Sequence, residues 1–128
     1  MKYLGIDYGN AKIGLAMSEG KLAEPIGSIK TLNSKSQITN ICERDVIEKI
    51  VIGISEGKMA MQIKKFGDEL ETVINIPIEY WDETLSSIQA REKMIEAGKP
   101  QMKKKTDEHS IAAALILQDY LDNKKDSL

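Results

Sequence analysis

The chain has 128 residues, of which 41% are hydrophobic and 30% charged, a balance that suits one globular domain over residues 1–128. No apolar run approaches the roughly 20 residues that cross a bilayer, nothing reads as a signal peptide, and one cysteine cannot build a disulfide framework, so a reducing cytoplasm is expected. The net charge of −2 excludes a generic polyanion binder, and any nucleic-acid contact has to rest on a local basic patch.

The chain opens on MKYLGIDYGNAKIGLAMS, residues 1–18. Leu4 and Ile6 make a buried strand, Gly9 and Asn10 a turn, and Ile13, Leu15 and Met17 a returning strand with alternating apolar positions, which together predict a hairpin. Residues 20–32 contain Pro25 and Gly27 and predict a third, edge-like strand, where proline is tolerated. Asn33 to Ser36 is polar and suits a helix cap. Ile38, Ile41, Cys42, Val46, Ile47 and Ile50 then recur at helical spacing, with Cys42 on the apolar stripe as a small buried hydrophobe rather than a nucleophile.

Residues 50–54, IVIGI, form a β-branched run typical of a strand covered on both faces. A turn over residues 55–58 leads to a helix from about Met59 to Thr72, and Ile74 to Asp82 predicts the last strand. Thr84 or Ser86 caps a helix to about Ala97, which Gly98 and Pro100 terminate. A basic loop follows, then a final helix from about Asp107 to Leu121. A strand meander followed by strand–helix alternation predicts an α/β fold, a mixed five-stranded sheet with helices on both faces.

Chemistry is expected where acids reach the carboxyl ends of the strands. Asp7 stands where a buried strand should remain apolar. An ionised carboxylate there costs several kcal/mol unless a positive charge compensates it, and a metal ion at the strand's open end would do so. Asp82 and Glu83 close the last strand, and Asp107 and Glu108 open the final helix. Each also has a bland explanation: Asp82 as a cap, and Asp107 and Glu108 as acids favoured at any helix N-terminus. Lys103, Lys104 and Lys105 form the one dense basic patch. A lysine run is ordinarily a solvated loop. Trp81 and Tyr8 flank the acids and either could stack on an unpaired base, although helix packing is the more ordinary role for Trp81.

Several segments resemble the YqgF (RuvX) family, bacterial proteins with an RNase H-like fold described as Holliday-junction resolvases and as nucleases that mature the 5′ end of 16S rRNA. GIDYGNAKIGLAMS is similar to its N-terminal signature, IVIGISEGKM to its central strand and glycine loop, PIEYWDETLSS to its strand-to-helix motif and AAALILQDYL to its C-terminal helix. The resemblance implies a site for Mg²⁺ (or Mn²⁺) in which Asp7 and Glu83 are metal carboxylates, consistent with phosphodiester hydrolysis by divalent ions that share carboxylate ligands.

With the match anchored on Ala112 and Ala113, the family's helix aspartate falls on His109. Asp107 and His109 would point some 200° apart on a regular helix. Asp107, at a frayed first turn, is the expected third ligand, with His109 as an outer ligand or proton shuttle. Two positions depart from the family pattern: Thr84 replaces an arginine and Ser55 a proline, leaving the grip on nucleic acid to Lys58 and Lys103–Lys105.

The expected function is therefore a metal-dependent endonuclease acting on structured RNA, with pre-16S rRNA or the pre-ribosome as partner in preference to branched DNA. A monomer or weak homodimer and no membrane contact are expected. A Holliday-junction resolvase is the second reading, and it would need a dimer to cut two symmetric strands. A catalytically lapsed RNA-binding or ribosome-assembly module is the third. An acid followed by a glycine turn also opens the phosphate hairpin of ATP-clamping proteins, but those use two such domains.

Overall fold

The computed structural model describes residues 1–54, 57–82 and 107–124, with Lys58 described by its backbone alone. Strands β1 (Lys2–Asp7), β2 (Lys12–Glu19) and β3 (Ala23–Lys30) open the chain. They are followed by α1 (Ser34–Asp45), β4 (Lys49–Ile54), α2 (Lys58–Val73), β5 (Ile78–Asp82) and α3 (Glu108–Asn123). Ser55, Glu83, Thr84, the helix expected up to about Ala97 and Lys103–Lys105 lie outside the described residues.

The strands form one sheet in the order β3-β2-β1-β4-β5. β2 runs antiparallel to β1 and β3, while β4 is parallel to both β1 and β5. Side chains alternate between the two faces of a strand, and both faces are covered. Leu4, Ile6, Ile13, Leu15, Ile50 and Ile52 meet Ile38 and Cys42 of α1 and Ile63, Phe66 and Leu70 of α2. On the other face, Tyr3, Ala16 and Val51 meet Ala113, Ile116, Leu117 and Tyr120 of α3. Two-sided burial explains why β1 and β4 read as nearly continuous apolar runs.

Three boundaries differ from the sequence expectation for local reasons. α1 stops at Asp45, because Val46 turns left-handed (φ 54°) and gives its N–H to Cys42. Val46 is 68% exposed and so leaves the apolar stripe, while Ile47 is buried. α2 continues to Val73, which delays β5 from Ile74 to Ile78; Pro77, just before it, offers its carbonyl to the Ile50 N–H at 2.9 Å. In β3, Leu15 pairs with Gly27 but Ala16 with Pro25, so Ile26 is an extra, bulged residue. Asn33 is the N-cap of α1, yet it makes no side-chain capping bond.

The position of α3 depends on residues without side chains. Gly5 on β1 faces the helix: a Cβ there would lie 2.8 Å from Leu117 Cβ and 3.1 Å from the Ala113 carbonyl oxygen. Gly14 on β2 lies beneath the first turn, where a Cβ would collide with the His109 carbonyl and stand 2.7 Å from the Ser110 nitrogen. Glycine inside a strand commonly marks such a close approach. Gln118 ties the far side down, accepting from the Ala23 N–H and donating to the Lys21 carbonyl, each at 2.9 Å.

Candidate active site

Asp7 is the last residue of β1, and alternation along the strand puts it on the face of Tyr3 and Gly5, beneath α3. Its register partner is Gly14, the glycine on which the first turn of α3 rests. Direct seating of helix on strand brings the single histidine of the chain to the carboxylate. His109 Nδ1 stands 4.0 Å from Asp7 Oδ2, with the carboxylate 19% and the imidazole 45% exposed. The β1–β2 turn passes beside the ring: a Cβ on Gly9 would lie 2.6 Å from the Lys12 carbonyl oxygen and 3.9 Å from His109 Cε1. Thr31 clamps this turn, its hydroxyl donating to the Gly9 carbonyl at 2.7 Å and its N–H to the Ala11 carbonyl at 3.0 Å.

Asp107 is placed differently from His109. It is the N-cap of α3, with extended backbone (φ −105°, ψ 179°), so the 200° separation of a regular helix does not apply to it. Its Oδ1 accepts from the Ser110 N–H at 3.0 Å, while the Ser110 hydroxyl accepts from the Asp107 N–H at 3.1 Å, a closed capping box. Ser28 of β3 donates its hydroxyl to Oδ2. Burial pushes the Asp107 pKa up, but the hydrogen bonds from Ser28 and Ser110 and the nearby His109 outweigh it and hold the carboxyl below its ordinary value. Glu108, between the two, is exposed.

The protonation of Asp107 has a consequence for stability. Because folding lowers its pKa, ionised Asp107 adds stability above the ordinary carboxylate range and loses that contribution as pH falls through that range towards the folded value. Ser28→Ala is expected to lower the melting temperature at neutral pH and to converge with the parent protein once the pH has fallen below the lowered Asp107 value. Asp107→Ala, which also removes the cap, is expected to cost about 1 kcal/mol at pH 7. Thermal melts across pH test both, and equal losses at every pH would overturn the electrostatic account.

Asp82 ends β5 opposite Ile54. Alternation assigns it to the face of Ile78 and Tyr80, which pack towards α1 and α2, away from Asp7. It is exposed and lines a surface cavity with Lys64 and Tyr80. Trp81 takes the packing role: its Nε1–H donates to Asp119 of α3 at 2.7 Å and its ring meets Tyr120 edge-on at 5.3 Å. Tyr8 lies 4.9 Å from Phe66 of α2. Cys42 is 3% exposed, and burial, followed by Asp45 and Glu43, pushes its thiol up to about 11, which suits a packed hydrophobe.

Among the described residues, no three His, Cys, Asp or Glu side chains gather as a metal group. Asp7 and His109 form a pair, whereas Glu83 and Lys103–Lys105 lie outside the described residues and Lys58 is described only as the first residue of α2. The pair nonetheless suits a divalent cation. A carboxylate is a hard anionic donor, and donors 4.0 Å apart fall within the reach of two coordinate bonds of about 2.1 Å each. Sequence reasoning missed Ser28 and Gly14. Gly14 had a signal, a glycine inside an alternating strand, but Ser28 had none.

Residues 1–123 match the RuvX family, described as Holliday junction resolvase. A Clostridium kluyveri protein with the provisional name pre-16S rRNA nuclease is 37% identical over 133 aligned positions, covering 95% of this chain and 97% of the relative. A protein of the same name from Caldanaerobacter subterraneus subsp. tengcongensis is 34% identical over 141 positions, covering 99% and 100%. Among solved structures, T. thermophilus RuvC in complex with Holliday junction substrate is similar with a TM-score of 0.62 over 97% of each chain. At 16% identity that likeness is one of fold, the RNase H-like arrangement of the sheet and its helices.

Proposed function

This chain belongs to the RuvX (YqgF) family, and from that premise we propose that it is a divalent-metal-dependent endonuclease that matures the 5′ end of pre-16S rRNA during ribosome biogenesis. Cleavage of a phosphodiester bond is the reaction class. The observation that carries the proposal is the pairing of Asp7, at the end of the central strand, with His109 across the glycine-seated first turn of α3.

In this reading Asp7, Glu83 and a donor from the start of α3, Asp107 or His109, hold Mg²⁺ (or Mn²⁺). When bound, a divalent ion supplies an activated water and neutralises charge on the leaving oxygen. The chain's own groups do the rest. The imidazole of His109 is near enough to Asp7 to relay a proton at the rim of the site. Asp107 fixes the first turn of α3 through Ser28 and Ser110, and so positions His109. Lys58 and Lys103–Lys105 hold the phosphate backbone electrostatically, which makes binding salt-dependent. The protein works as a monomer or weak homodimer in the cytoplasm. No described helix is long and apolar enough to cross a membrane.

The family description favours a second reading, resolution of branched DNA. Purified protein with Mg²⁺ or Mn²⁺ is expected to cut a pre-16S 5′-leader RNA at one position and at least about tenfold faster than a four-way DNA junction, a discrimination of about 1.4 kcal/mol. Preference for the junction would make the chain a resolvase. Retained RNA binding without cleavage under either ion would make it an assembly factor.

A further inference from the structure

We propose that His109 binds the metal ion directly, and that this nitrogen donor biases the site towards Mn²⁺ over Mg²⁺. The inference rests on the metal-dependent reading above and concerns which ion this chain selects.

The first turn of α3 presents three candidate donors, and the structure separates them. Asp107 turns its carboxylate to Ser28 and Ser110, one oxygen to each. Glu108 is exposed. His109 Nδ1 stands 4.0 Å from Asp7 Oδ2, and a cation placed between the two atoms reaches both. The backbone of His109 rests on Gly14, and its ring lies beside the β1–β2 turn at Gly9. The donor set at this point is therefore one hard carboxylate oxygen and one imidazole nitrogen.

That composition has a predictable preference. Mg²⁺ favours oxygen ligands and gains little from imidazole, whereas first-row transition ions bind imidazole well. Mn²⁺ accepts both donors, since carboxylate and water oxygens also suit it. His109→Asp would restore an all-oxygen set. The substitution is structurally mild, because the side chain is 45% exposed and an acid in the first turn of a helix is favoured by the macrodipole.

The test uses untagged full-length protein with Mn²⁺ and Mg²⁺ as probes. Calorimetric affinities are expected to show that His109→Asp lowers the Mn²⁺/Mg²⁺ affinity ratio by roughly tenfold. Electron spin-echo modulation of bound Mn²⁺ is expected to show a directly coordinated imidazole nitrogen in the parent protein and none in the variant. The chain has one histidine, so such a signal has one source. If Mn²⁺ binds the parent protein without nitrogen coupling and the ratio is unchanged in the variant, this inference fails while the nuclease reading stands. If neither protein binds either ion, both fail.

Discussion

Asp7→Asn is expected to lower metal-dependent cleavage by roughly a thousandfold, about 4 kcal/mol of transition-state stabilisation, while leaving the fold intact. Asparagine has nearly the shape of aspartate, so the end of β1 and its register with Gly14 are retained. What disappears is the negative charge, and with it the main attraction for a divalent cation at this rim. The melting temperature should therefore stay close to that of the parent protein. Loss of activity with unchanged stability separates a ligand from a structural acid. Undiminished cleavage by this variant would sink the assignment of Asp7 to the metal site.

Gly14→Ala is expected to cost about 2–4 kcal/mol of stability and to reduce cleavage by about a hundredfold. The added methyl would meet backbone, the His109 carbonyl and the Ser110 nitrogen, and neither can rotate away. The first turn of α3 must lift, which carries His109 off Asp7 and strains the capping box of Asp107. Gly53→Ala is the control. Its methyl would press on the Ile116 side chain, chiefly the terminal Cδ1, and on no backbone atom, so a smaller loss of about 1–2 kcal/mol is expected. Denaturant midpoints and Mn²⁺ affinities of the two variants test the idea. Equal stability losses with unchanged metal affinity would show that the seating of α3 does not set the site.

These two experiments bear on one design. The central strands carry small or absent side chains where α3 crosses, so the helix backbone approaches closely and the residues of its first turn fall on the end of β1. The apolar face towards α1 and α2 supplies much of the core, and the α3 face holds Asp7. A mutation under α3 thus affects chemistry through position, even where it touches no reacting group.

The succession of strands and helices along the chain and the family were legible in the residues alone, because each rests on local periodicity or on a motif of contiguous residues. Asp7 was legible for the same reason: an acid in an apolar strand is conspicuous without any knowledge of its neighbours. Boundaries were less so. Val46 lies on the helical spacing yet turns left-handed, and α2 runs on through Ile74's neighbour Val73. The relation between Asp107 and His109 was beyond any sequence argument, since it depends on where α3 begins and what Ser28, 79 positions earlier, does to Asp107. Likewise, only the paired register of β4 and β5 assigns Asp82 to the face opposite Asp7. Periodicity specifies which side of an element is buried. The meeting of residues 7, 14, 28 and 109 is decided by how closely a helix can lie on a sheet, and that is a property of packing.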